Sequence, residues 1–155
     1  MSTDARVVGS EVYFIPVRAR VPLKFGPETL TEVVCARARV MVIDSKGGKA
    51  HGWGETPLSV QWVWPGSCAY RDRRTALERF CVLLGKKWAE FDSSGHALEI
   101  GHDFQTCVLR DLLDEFNKRE NTCQEPMPWL AALVCCSVFD QAVHDAYGRL
   151  VGLPI

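Results

Sequence analysis

The sequence lacks several things, and each absence excludes a class of protein. No stretch reaches the ~18–20 consecutive apolar residues of a membrane-spanning helix, which argues against a helical membrane protein. The first ten residues, Met1 to Ser10, contain no apolar core of a secretory leader, so the expected location is the cytoplasm. The seven cysteines (Cys35, Cys68, Cys81, Cys107, Cys123, Cys135 and Cys136) are odd in number, and none form a Cys-x-x-Cys pair. A structural zinc site wants such spacing, and a disulfide framework wants an oxidising compartment, so neither is expected. Cys81 and Cys136 lie in apolar helical stretches, as small buried hydrophobes do. Charge of one sign is also missing: 18 Lys and Arg stand against 19 Asp and Glu, for a net charge of −1. The densest basic cluster, Arg71, Arg73 and Arg74, reads as the solvated start of a helix, not as a nucleic-acid footprint. Internal repeats and low-complexity segments are absent.

What remains is ordinary globular composition. With 155 residues, 47% apolar and 24% charged, the chain can bury a core as one domain. Its first third reads as strands. Tyr13, Ile15, Val17, Ala19 and Val21 alternate with Pro16, Arg18 and Arg20, and Pro22 ends the run. A second run covers about Thr31 to Asp44, with Ala36, Ala38, Val40 and Val42 alternating with Arg37, Arg39 and Met41. Ser45 to Lys49 supplies a glycine-bearing turn, and a short third strand spans about Ala50 to Glu55.

Helices follow. Leu77, Phe80, Cys81, Leu84 and Trp88 keep helical spacing across roughly Arg71 to Glu90. Phe104, Val108, Leu109, Leu112, Leu113 and Phe116 form a second stripe, with Asp103 placed to cap it. After a loop from Asn121 to Pro128, a third helix runs from about Trp129 to Val151 and stops at Gly152 and Pro154. Strands followed by helices predict the α+β class: a three-stranded antiparallel meander covered by about three helices. Residues 1–9 read as an N-terminal tail and residues 10–155 as the domain.

The connection after the third strand is the most specific stretch. It reads Gly52-Trp53-Gly54-Glu55-Thr56-Pro57, then Gln61-Trp62-Val63-Trp64-Pro65. Two glycines around a tryptophan let the backbone pass close to a neighbour. Trp62 and Trp64 either wall a pocket or fold back onto the sheet edge; the residues leave both readings open.

Three segments together carry a family resemblance. They are Arg20-Val21-Pro22-Leu23-Lys24-Phe25-Gly26, the Gly52–Pro57 segment, and Phe139-Asp140-Gln141-Ala142-Val143-His144-Asp145-Ala146-Tyr147-Gly148-Arg149 with Leu130–Leu133 ahead of it. In this order and spacing they resemble the N-terminal capping domain of the enolase superfamily, of the mandelate racemase/muconate lactonizing enzyme type. The resemblance implies an enolase N-terminal domain-like fold, seated over the mouth of a (β/α)-barrel whose strand ends carry Mg²⁺ ligands and the Lys or His bases. That barrel is absent from residues 10–155, its start expected after Ile155. No catalytic residue and no metal ligand is therefore assigned to this chain. Mg²⁺ is expected only in a full-length enzyme.

The family's two cap loops fall on Pro22–Thr29 and Thr56–Pro65, so Lys24, Phe25, Thr29, Trp62 and Trp64 are the expected substrate contacts. Lys24 suits an anionic substrate, with a solvated lysine as the ordinary alternative. Arg20, Gly52, Trp53, Gly54, Glu55, Asp140 and Asp145 read as structural, with Arg20 expected to pair with Glu55. His144 and Asp145 are helix neighbours that do not face each other, so they are not a catalytic pair. His51, His96 and His102 read as surface or satisfied histidines. The implied role is a specificity domain of a racemase, epimerase or dehydratase of a carboxylic acid, not catalytic alone. The implied partners are a barrel, in cis or in trans, a small carboxylic acid, and a second copy in a homo-oligomer; nucleic acid and membrane are excluded. A stand-alone binding domain and a truncated reading frame without function are the competing readings.

Overall fold

The structure, a computed structural model, describes residues 4–25 and 28–153, with the side chains of residues 25 and 28 outside that description. Two long strands open the chain: β1 (Ala5–Phe25) and β2 (Glu28–Asp44) form an antiparallel hairpin. The turn after β2 is an Asx turn, in which Asp44 Oδ1 accepts from the backbone N–H groups of Lys46 and Gly48, each at 2.8 Å. Gly47 takes the positive φ of 84° that this turn requires. β3 (Lys49–Pro57) then pairs with β2, and a two-residue strand, β4 (Ser94–Gly95), joins the far edge at Ala5 and Arg6. The sheet order is β3-β2-β1-β4. The expected meander is present with one short strand added.

The helices are α1 (Val60–Val63), α2 (Tyr70–Glu90), α3 (Ala97–Phe104), α4 (Arg110–Arg119) and α5 (Trp129–Val151). A wider π turn, Gln105–Leu109, joins α3 to α4. It explains how Phe104 and Leu109, five residues apart, are both buried. The cap of this unit is His96, not Asp103. Its Nδ1 accepts from the Leu98 N–H at 3.2 Å while Glu99 accepts from the His96 N–H at 2.8 Å, a capping box. Asp103 lies inside α3. Gly152, at φ 71°, ends α5 in the left-handed conformation, while Pro154 lies outside the described residues. No described helix is long and apolar enough to cross a membrane.

The core lies between one sheet face and the helices. Ala36, Ala38, Val40 and Val42 of β2 are fully buried. The apolar alternation of β1 does not match them as the sequence suggests. Val8 is an extra residue, since Val7 pairs with Val42 and Gly9 with Met41. Such a bulge exchanges the two faces beyond it. Ala5 and Val7 point inward before it, Val12 and Phe14 after it, while Tyr13 and Val17 are exposed. Within the segment read as an N-terminal tail, β1 begins at Ala5 and buries both Ala5 and Val7.

Candidate functional site

Gly52 and Gly54 fix the position of α5. A Cβ at Gly52 would stand 2.1 Å from the Ala146 nitrogen and 2.2 Å from the Ala142 oxygen; one at Gly54 would stand 2.1 Å from the Val138 oxygen. Only hydrogen fits at either place, so the helix backbone lies directly on the strand. Val138, Ala142 and Ala146 recur every fourth residue, one helical turn apart. Four helical residues rise about 6 Å and two strand residues about 6.7 Å, which keeps the two elements in step.

The same matching seals the sheet edge. β3 is an edge strand, and its N–H groups need partners. Asp145 Oδ2 accepts from the Trp53 N–H at 2.8 Å, and Gln141 Oε1 accepts from the Glu55 N–H at 3.3 Å. Gln141 Nε2 also donates to the Thr56 hydroxyl at 3.2 Å, which in turn meets the Ser137 hydroxyl at 2.9 Å. Asp145 holds Arg149 Nε at 3.0 Å through its other oxygen. Asp145 is an edge cap. Asp140 faces Gly101 of α3, where a Cβ would approach its Oδ1 within 2.3 Å. Burial raises the Asp140 carboxyl, and His144 opposes the shift. His144 Nδ1 meets the Asp140 carbonyl oxygen at 2.9 Å, so His144 and Asp145 have separate partners.

This frame leaves two features at one end of the sheet. β2 continues from Cys35, the partner of Pro57, to Glu28, so the β1–β2 hairpin projects roughly 20 Å past the end of β3 at the rise of an extended strand. The expected loop at Pro22–Thr29 is therefore largely strand: Leu23 pairs with Leu30, Lys24 with Thr29 and Phe25 with Glu28. Gly26, Pro27 and the Phe25 side chain lie outside the described residues. The irregularity sits lower, where Ala19–Pro22 bulge opposite Thr31. Pro22 is compatible with a strand here because β1 has no ladder partner on its other side at this end. Val21 is 70% exposed and Leu23 52% exposed, with Arg20, Lys24 and Thr29 also at the surface.

The second feature is α1. Its single turn, closed by Val63 N–H to Ser59 O at 3.0 Å and Trp64 N–H to Val60 O at 2.9 Å, replaces the expected open loop over part of Thr56–Pro65. Helical geometry places residues three and four apart on one side. Val60, Val63 and Trp64 consequently enter the core, and Trp62 turns out. The expectation for Trp64 is corrected: at 2% exposure it cannot touch a substrate, whereas Trp62 is 59% exposed. The buried Arg73 guanidinium donates from Nη1 to the Trp64 carbonyl and anchors this turn.

The outer sheet face holds a third feature that sequence reasoning missed. Arg37, Trp53, Gly54, Glu55 and Gln141 line a shallow groove of about 380 Å³. Glu55 is paired with Arg37 here, at 2.7 Å to Nε and 2.5 Å to Nη2, and not with Arg20 as expected. The register explains the correction, because Arg37 lies directly opposite Glu55. Beside the groove the Tyr13 and Trp53 rings stand 6.2 Å apart, and Arg39 lies over Trp53 at 6.0 Å. The Glu11 carboxylate accepts from the Tyr13 hydroxyl at 2.7 Å and raises its pKa. The alternation Arg37, Arg39 was the available signal for this face. Among the described residues, no three His, Cys, Asp or Glu side chains gather as a metal site would need. The described residues therefore do not fit Mg²⁺.

Comparison with known proteins gives little beyond this geometry. No protein-family model matches the chain, and no curated protein matches it. Among solved structures, it aligns with an enolase from Bradyrhizobium crystallised with magnesium and mandelic acid, at 17% identity and a TM-score of 0.47. The alignment covers 98% of this chain and 34% of that one, so the chain spans about a third of the length of that enolase.

Proposed function

We propose that the chain is the capping domain of a Mg²⁺-dependent enolase-superfamily enzyme, and that it selects the carboxylic acid on which a barrel domain acts. The reaction belongs to racemisation, epimerisation or dehydration next to a carboxylate. The barrel supplies the Mg²⁺ ligands and the base. The observation that carries this reading is the convergence at one sheet end: an overhanging hairpin bearing Lys24, and a one-turn helix that buries Trp64 in order to present Trp62. A cation and an aromatic face on separate elements, both anchored to a rigid frame, suit recognition of a small organic anion. Exposed Val21 and Leu23 beside them give an apolar rim to close against a barrel mouth.

The three sequence segments add support of a different kind, since two of them are spent on the frame that places these loops. The test is made in the polypeptide joining this domain to its barrel. Trp62→Ala and Lys24→Ala should each change the ratio of kcat/KM between two carboxylic acids by at least about tenfold, the scale of one lost contact. Mg²⁺ affinity should stay unchanged. Unaltered selectivity in both variants would sink the assignment of these residues.

A further inference from the structure

The loop after α1 and the loop before α5 meet, although more than fifty residues separate them. The Ser67 backbone N–H donates to Glu125 Oε1 at 3.0 Å, and the Ser67 hydroxyl bonds the same oxygen. Asn121 shapes the second loop: Oδ1 accepts from the Cys123 N–H at 3.0 Å, and Nδ2 donates to the Glu125 carbonyl at 2.9 Å. These bonds hold the loop carrying Cys68 against the loop carrying Cys123: Ser67, next to Cys68, is bound to Glu125, and Cys68 lines one cavity with Thr122, the neighbour of Cys123. Both residues are half-buried. Cys68 also borders a polar cavity of about 330 Å³, shared with Asp72, Thr122 and Glu125, which lies in the size range of small-molecule sites. Cys81, Cys135 and Cys136 also adjoin one another, but they are fully enclosed between α2 and α5.

We propose that Cys68 and Cys123 form a reversible disulfide by exchange with small-molecule disulfides of the glutathione type, and that this bond locks the α1 segment onto the loop before α5. The Cys68 thiolate attacks one sulfur of the small disulfide, forming a mixed disulfide and releasing one thiolate. The Cys123 sulfur then attacks the Cys68 sulfur. The protein disulfide forms, the mixed bond breaks, and the Cys123 proton passes to the departing thiolate. Two protein thiols are oxidised and one small disulfide is reduced to two thiols. The order follows from the site. Cys68 lines the polar cavity that a small disulfide would enter, whereas Cys123 is not in its lining, so Cys68 attacks first; burial, then the hydrogen bond and charge of Cys68, push the Cys123 thiol up to about 12. Once Cys68 is in the mixed disulfide its charge no longer opposes ionisation of Cys123, which favours the second step.

The cross-link itself is independent of the capping role; only the statement that the lock holds the exposed Trp62 of α1 in place for substrate rests on that reading. The experiment treats the reduced full chain with oxidised glutathione, alkylates the remaining thiols and maps the peptides by mass spectrometry. A Cys68–Cys123 linked pair should appear and disappear again with dithiothreitol. The melting temperature should rise by roughly 5–15 °C on oxidation, because the bond closes a long loop in the unfolded chain. Cys68→Ser and Cys123→Ser should each abolish the linked pair and leave a glutathione adduct on the remaining thiol. Separate adducts on Cys68 and Cys123 in the parent chain, or linkage to another cysteine, would overturn the pairing. A linked pair with no change in melting temperature would overturn the lock.

Discussion

Substituting alanine for Gly52 places a methyl carbon 2.1 Å from the Ala146 nitrogen, where ordinary contact begins at 3.4 Å. The obstacle is helix backbone, which has no rotamer to change. α5 must therefore retreat by about 1.3 Å, or β3 must bend away by as much. A retreat of that size stretches the Trp53–Asp145 and Glu55–Gln141 bonds, now 2.8 and 3.3 Å, well beyond hydrogen-bonding range. Two lost bonds cost about 0.5–1.5 kcal/mol each, and forced overpacking costs about 1–3 kcal/mol. The combined loss of about 2–6 kcal/mol is a large share of the roughly 5–15 kcal/mol that holds a domain together. At roughly 2–4 °C per kcal/mol for a chain of this size, Tm falls by about 4–24 °C. Urea denaturation followed by tryptophan fluorescence, with thermal melts by circular dichroism, measures both quantities. Gly9→Ala is the control, because its added Cβ meets only the Met41 side chain at 3.6 Å. It should cost less than about 1 kcal/mol. If Gly52→Ala matched that control, the reasoning that glycine sets the helix–sheet distance would be refuted.

The two tryptophans of the α1 segment should separate cleanly. Trp64→Ala should cost about 3–5 kcal/mol as a core truncation and Trp62→Ala less than about 0.5 kcal/mol, and equal costs in denaturant unfolding would contradict the sorting by one helical turn. Asp145→Ala should speed hydrogen exchange at the Trp53 amide far more than at buried β2 amides, as followed by NMR; equal protection before and after would mean the carboxylate does not cap the edge. The raised Asp140 carboxyl gives a pH signature. With its folded pKa above the unfolded one, its contribution is most favourable below the unfolded pKa and is lost as pH rises through the folded pKa. Asp140→Asn should therefore stabilise the chain more at pH 8 than at pH 3, and the opposite order in thermal melts would reverse the assigned cause.

Much of the frame was legible in the sequence because its signals are local. The limits of α5, the inward residues of β2 and the need for glycine at positions 52 and 54 all follow from periodicity or from the properties of one residue type. Other features depend on a single residue shifting a register. The extra Val8 exchanges the faces of β1, so an alternation led by Tyr13 and Val17 pointed to the wrong side. The four-residue α1 is too short for any pattern, yet it decides which tryptophan is available. Edge capping by Gln141 and Asp145 joins positions 86 and 92 residues apart in the chain, and the pairing of Arg37 with Glu55 depends on strand register. Neither is visible until helix and sheet are placed together.

The capping role is tested most directly by reading the source DNA for about a kilobase beyond the Ile155 codon, the coding length of a typical barrel. The account predicts an open frame of repeated strand–helix units with Asp or Glu at successive strand ends to hold Mg²⁺. A stop codon directly after Ile155, with no barrel encoded nearby, would contradict it.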